Sequence, residues 1–93
     1  MIKRIAMWRL NNANDAAEMS DKLLSMESRV PSLQNIEVGI NQSTSDAAFD
    51  IVFTGCFESW EALEAFNQDP FHKSISAWVS DARKVRHVVD YEI

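Results

Sequence analysis

The stretch IEVGINQSTSDAAFDIVFTGCF, residues 36–57, decides the fold because it contains two strand patterns with no helix between them. Ile36, Val38 and Ile40 alternate with small or polar residues, which is typical of a strand with one apolar face. Residues 41–46 are polar and predict a loop. A second alternating run of apolar side chains comprises Phe49, Ile51, Phe53 and Phe57. The stretch therefore predicts two consecutive strands of one sheet.

Upstream of these two strands, the chain predicts a strand and then a helix. Residues 2–10 are largely apolar and lack glycine and proline, as expected of a strand. Asn14 and Asp15 then provide the polar side chains that favour a helix start. The apolar residues that follow recur at spacings of three and four, and Pro31 ends the helix. This helical stripe consists of Ala16, Met19, Leu23, Met26 and Val30.

Downstream, the chain predicts a helix in two pieces and a closing strand. Ser59 stands at an N-cap position, and Asp69-Pro70 interrupts the helix that it begins. A second helical piece continues to Ala82. The last ten residues then hold the apolar side chains of a strand, namely Val85, Val88, Val89, Tyr91 and Ile93.

The resulting order, β-α-β-β-α-β, is that of a ferredoxin-like α+β fold. It predicts one domain over residues 1–93, with a four-stranded antiparallel sheet and its helices on one face. The other face then needs a cover. We expect Trp8 and Leu10 on that open face, and we expect a second copy of the chain to cover it, giving a homodimeric α/β barrel.

Composition excludes several classes of protein. The net charge of −5 disfavours a nucleic-acid partner, which would select a basic face. No apolar run reaches the roughly 20 residues that span a bilayer, and no signal-peptide pattern precedes residue 11, so we expect a cytoplasmic protein without a membrane partner. The single cysteine, Cys56, supplies neither a disulfide framework nor a zinc site, and we read it as a buried small residue. No cofactor and no metal is predicted.

Basic residues concentrate on the two terminal strands, where they would form a positive strip if those strands pair. They are Lys3, Arg4, Arg9, Arg83, Lys84 and Arg86. Arg4 shares a strand face with Ala6 and Trp8, so its guanidinium needs a carboxylate partner or an anionic ligand. Asp50 and Asp90 lie in strands, where aspartate is disfavoured, and either is a candidate for that partner; a divalent ion on this pair is a weaker alternative.

The aromatic residues and His72 are the remaining site candidates. His72 follows the proline that breaks the helix, and an ordinary histidine pKa of about 6.5 suits proton transfer near neutral pH. The plain structural alternative is a histidine bonded to a backbone carbonyl. Trp60 and Trp78 lie on helix stripes and are expected mostly in the core, whereas Trp8 is the best candidate for a cavity or interface residue.

Short motifs spread over the whole chain resemble the stress-responsive A/B barrel (Dabb) family, a group of dimeric α/β barrels. The resemblance rests on residues 2–5 and 36–41, on Phe49-Asp50-Ile51, on 57–63, on Asp69-Pro70-Phe71-His72 and on Val88-Val89-Asp90-Tyr91-Glu92-Ile93. The family includes plant stress-induced proteins and a polyketide cyclase. The resemblance therefore implies a barrel with an interior that can hold a small molecule.

The resemblance also implies roles for three residues. In the cyclase, a histidine in a Pro-x-His element is the general acid/base, and this position falls on His72 after Pro70. Its tyrosine partner falls on Phe66, which has no ionisable group, and a second histidine falls on Arg4. The cyclase dyad is thus at most half present.

Three functions stay open from the sequence. The first is a dimer that binds a small aromatic or hydrophobic molecule between its sheets, with His72 as a possible acid/base and Arg4, Trp8, Phe66 and Trp78 as ligand-binding residues. The second is a structural stress protein with a filled interior and no catalysis. The third is a monooxygenase of the kind found in other dimeric ferredoxin-like barrels, which would need Asn, Trp and His side chains in one cavity.

Overall fold

The computed structural model describes all residues, 1–93, and contains four strands and three helices. Two short 3-10 turns, Ala13–Asp15 and Ser25–Ser28, flank the first helix. The strands and helices are β1 (Ile2–Leu10), α1 (Ala16–Leu24), β2 (Gln34–Ile40), β3 (Ile51–Phe57), α2 (Trp60–Gln68), α3 (Pro70–Ala82) and β4 (Arg83–Glu92).

The strands form one antiparallel sheet in the order β2-β3-β1-β4. β1 lies inside the sheet and pairs with β3 on one side and with β4 on the other. The pairing places Ala6 opposite Phe53 and Val88, and Trp8 opposite Ile51 and Arg86. This is the split β-α-β arrangement, so the predicted ferredoxin-like fold is confirmed.

Side-chain caps fix where the helices begin. Ser59 caps α2 as predicted, accepting the Ala62 backbone N–H at 3.1 Å. Asp69 both ends α2 and caps α3, because its carboxylate accepts the N–H groups of Phe71 and His72. Asp15 occupies the N-cap position of α1 as predicted, but its side chain accepts no capping hydrogen bond. Asn12 caps the 3-10 turn that precedes α1, accepting the Asn14 backbone N–H.

The core lies between the helices and one face of the sheet. Trp8 and Leu10 belong to it, each only 5% exposed. Their predicted place on the open face is therefore wrong. β1 carries apolar side chains on both faces, and the face with Ile2, Ala6, Trp8 and Leu10 is the one that the helices cover. The largest fully buried side chains are Phe57, Phe66, Met19, Met26 and Val30.

The open face of the sheet carries a different apolar set. Its members include Ile5, Met7, Val52, Val89 and Tyr91, and Met7, Val89 and Tyr91 are exposed.

Trp60 is half exposed, which contradicts its expected place in the core. It is the first residue of α2, and only Leu63 and Phe66, further along that helix, are buried. No helix is long and apolar enough to span a membrane.

A close approach inside the core requires glycine at position 55. A Cβ atom there would lie 2.6 Å from Leu33 Cδ1 and 2.9 Å from Phe53 Cζ, whereas at Gly39 it would meet only Val52 Cγ1 at 3.3 Å. We expect Gly55→Ala to lower the free energy of unfolding by about 1–3 kcal/mol through overpacking. Urea denaturation measures the loss, and Gly39→Ala is the control. Equal effects of the two variants would contradict this account.

Candidate functional site

A cavity of about 330 Å³ lies between the sheet and the helices of a single chain. Its floor is the helix-facing side of β1, where the small side chain of Ala6 stands between Arg4 and Trp8. Its roof is one face of α3, whose lining residues recur at helical spacing and are His72, Ile75, Ser76, Val79 and Ser80. Leu23, Met26, Phe53, Phe66, Asn67, Arg83 and Arg86 complete the lining.

Four of the five residues predicted for the site line this one cavity. They are Arg4, Trp8, Phe66 and His72. Trp78 does not line it, because it lies on another side of α3 and packs against the core. The Lys22 ammonium lies over its ring, 5.4 Å from the ring centre. This cavity lies under the helices of one chain, whereas the sequence places a ligand between the two sheets of a dimer.

Arg4 is held by a two-point ion pair. Its Nε donates to Asp90 Oδ1 at 2.8 Å and its Nη2 to Asp90 Oδ2 at 3.1 Å. Nη1 donates to the side-chain oxygen of Asn67 at 3.1 Å. Of the two predicted partners, Asp90 is therefore the real one. Asp50 instead accepts the Leu10 backbone N–H at 2.7 Å, and no three groups of His, Cys, Asp or Glu converge to hold a metal ion.

His72 lies in the cavity wall with its ring stacked on Phe66. The two ring centres are 3.9 Å apart and the planes are inclined by 29°. Its Nδ1 is buried and has no hydrogen-bond partner. Burial first, and then the positive charge of Arg4, lower the pKa of His72, and the Phe66 carbonyl and Asp69 carboxylate oppose this only partly. The imidazole is therefore neutral at pH 7 and able to accept a proton.

Five polar side chains of the cavity were not identified from the sequence as site residues. They are Asn67, Ser76, Ser80, Arg83 and Arg86. Helical spacing places Asn67 beside Phe66 without indicating which side it faces, and Arg86 was recognised only as part of the basic strip. The pairing of β1 with β4 is the feature that brings that strip to the cavity, because it sets Arg86 directly opposite Trp8.

Asparagine, tryptophan and histidine side chains do meet in this cavity, as Asn67, Trp8 and His72. The amide of Asn67 is engaged at both ends, however. Its oxygen accepts from Arg4 and its nitrogen donates to Glu64 at 3.3 Å. This asparagine therefore bridges β1 and α2 and keeps one amide N–H without a partner, so the oxygenase alternative stays a prediction.

The fold and the cavity define a ferredoxin-like domain with an internal pocket beside a neutral histidine. The sequence pattern of the stress responsive A/B barrel (Dabb) domain matches residues 2–93, and the chain belongs to that family. No match is found among curated protein sequences.

Solved structures of the same fold agree with this assignment. A dimeric ferredoxin-like protein of unknown function from Thermobifida fusca is 18% identical, with TM-score 0.87, and the match covers 99% of this chain and 90% of that one. A Dabb family protein from Mesorhizobium loti is 18% identical over 99% and 95% of the chains, with TM-score 0.76. A hydroxynitrile lyase from Passiflora edulis is 14% identical over 99% and 92%, with TM-score 0.86. At these identities the likeness establishes the fold alone.

The lowered pKa of His72 predicts a pH dependence of stability. Below about pH 6.5 the unfolded chain binds a proton that the folded His72 resists, so this group lowers the free energy of unfolding as the pH falls and has no such effect at higher pH, where it is neutral in both states. Between pH 7.5 and 5.5, wild type should therefore lose more free energy of unfolding than His72→Gln. Urea denaturation at the two pH values measures both losses. Parallel losses would contradict a depressed pKa.

Proposed function

We propose that this protein is a homodimer in which each chain binds one small aromatic or hydrophobic molecule in the cavity beneath its helices. The observation that carries this proposal is the cavity itself. It has apolar walls from Phe53, Ile75 and Val79, two buried ring nitrogens without partners at Trp8 and His72, and a volume within the range of about 300–1,000 Å³ typical of ligand sites. A protein with a purely structural role would gain stability by filling such a space.

The opening of the cavity supports access by a ligand. Ser76 and Ser80 both line the cavity and are both exposed, so they lie where it meets solvent. Other residues of the lining, such as Ala6 and Trp8, are buried. A ligand would enter past short polar side chains that present little steric barrier.

The open face of the sheet supports the homodimer. Exposed apolar side chains on a sheet face are costly in water and mark an interaction surface. Solved relatives of this fold are described as dimeric, from Bacteroides fragilis and Thermobifida fusca among others. A second copy would bury Met7, Val89 and Tyr91 against the same surface patch of the first copy. The cytoplasmic location and the absence of nucleic-acid and membrane partners stay predictions from sequence.

An acid/base enzyme is the second candidate function. His72 favours it, because its neutral imidazole lines the cavity and can accept a proton from a substrate bound there. Phe66, which stacks on the ring, supplies no hydroxyl to share that proton. Such an enzyme would use His72 alone as its proton-transferring group, unlike a His–Tyr dyad.

Ligand binding is testable by thermal unfolding. A compound that binds only the folded state raises the unfolding midpoint, and at ten times its Kd it contributes about 1.4 kcal/mol, or about 5–10 °C for a chain of this size. We expect positive shifts from small aromatic compounds, neutral ones included. A panel of such compounds that leaves the midpoint unchanged at millimolar concentration would contradict the proposal.

A blocked variant ties that shift to the cavity. Ser76→Phe places a large side chain at the opening and should weaken the binding of any hit by about tenfold or more. Ser74→Phe is the matched control, because Ser74 is an exposed serine of the same helix that does not line the cavity. If both variants bind the hit as wild type does, the ligand lies elsewhere.

The dimer is testable with a charge on the open face. Met7→Glu should convert the dimer to a monomer of about half the mass in sedimentation equilibrium at micromolar concentration, because a buried unpaired carboxylate is costly. Leu24→Glu changes a comparably exposed apolar residue on α1 and should leave the dimer intact. A monomeric wild type, or a dimer that withstands Met7→Glu, would argue against this interface.

A further inference from the structure

The charged side chains that line the cavity are all basic. They are the three arginines Arg4, Arg83 and Arg86, and no aspartate or glutamate contributes to the lining. The chain as a whole carries a net charge of −5. A positive concavity in an acidic protein attracts anions selectively, because field lines concentrate in a cleft with low-dielectric walls.

Arg4 is not the group that would receive an anion. Its Nε and Nη2 face the two oxygens of Asp90, and its Nη1 faces Asn67. Its side chain is only 11% exposed. A ligand would have to break a buried bidentate ion pair to reach this guanidinium. Breaking that pair costs more free energy than a solvent-exposed contact with the ligand would provide.

Arg86 has one of the two free guanidiniums of the cavity, and the other is that of Arg83. Neither residue takes part in the two ion pairs of the chain, and neither side chain donates a hydrogen bond within it. Burial, followed by the charges of Arg4 and Arg83, lowers the pKa of Arg86, and only Asp90 acts in the opposite direction. An arginine nevertheless stays charged at neutral pH. An anion bound beside Arg86 would reduce the electrostatic repulsion between this guanidinium and those of Arg4 and Arg83.

Strand pairing places Arg86 over the cavity floor. Arg86 is the direct partner of Trp8 in the β1–β4 pairing, so both side chains leave the helix-facing side of the sheet at neighbouring positions. Both residues line the cavity.

We propose that the cavity selects an organic carboxylate, with its carboxylate group on the Arg86 guanidinium and the apolar part of the molecule toward Phe53, Ile75 and Val79. This assignment rests on the proposed ligand-binding function and narrows it to one chemical class. The carboxylate requires no change in the Arg4–Asp90 pair. The apolar walls and the volume of about 330 Å³ limit the ligand to a small acid.

The experiment compares one acid with its neutral counterpart. We would measure the affinities of 3-phenylpropanoate and 3-phenylpropanamide for the full chain by isothermal titration calorimetry at low ionic strength. Wild type should bind the acid at least about tenfold more tightly than the amide, as expected for a charge-assisted contact. Equal affinities, or tighter binding of the amide, would overturn the assignment.

Two variants of the same strand locate the charge that matters. Arg86→Gln should weaken 3-phenylpropanoate about tenfold or more and leave the amide within about twofold. Lys84→Gln removes the same charge from an exposed residue that does not line the cavity, and it should change neither affinity. If both variants weaken the binding of the acid equally, the net charge of the protein explains the effect, and the specific role of Arg86 is overturned.

Wild type that binds neutral aromatic compounds but no acid would overturn this inference and leave the proposed function standing; failure of the neutral compounds as well would remove both.

Discussion

The strict two-residue alternation of β1 is the constraint on which the rest of the structure depends. This strand lies inside the sheet, so every second side chain points under the helices, and these are Ile2, Arg4, Ala6, Trp8 and Leu10. A small residue between a charged one and a bulky one leaves a space that no neighbouring strand fills. The same alternation sends Met7 and its neighbours to the opposite face. The core, the cavity and the open face thus follow from the register of one strand.

The order of strands and helices could be predicted from sequence because each element carries its own periodic signal. The two strands between residues 36 and 57, the cap at Ser59 and the break at Asp69-Pro70 are all local features. The facing of β1 could not be predicted in this way. Ile5 and Met7 are as apolar as Ala6 and Trp8, so periodicity identified the strand without telling which side the helices cover. Tertiary packing makes that choice.

The site shows the same division between local and long-range information. His72 and Arg4 were identified as candidates, one from the family motif and one from the cost of burying its charge. Asp50 and Asp90 were equivalent as partners for Arg4 until the register of β4 placed Asp90 opposite it. Arg86 faces the cavity for the same reason. Contacts between residues more than 80 positions apart are set by strand pairing, which a single sequence does not reveal.

The position of β4 at the edge of the sheet has a consequence for how this domain can diversify. An edge strand is hydrogen-bonded on one side only, and here Arg83 and Arg86 line the cavity without belonging to the central core. Substitutions at such positions disturb few packed neighbours and cost little stability. Evolution can therefore exchange the chemical preference of the pocket along this strand while β1 and β3 keep the fold, which offers a physical route to many ligands within one architecture.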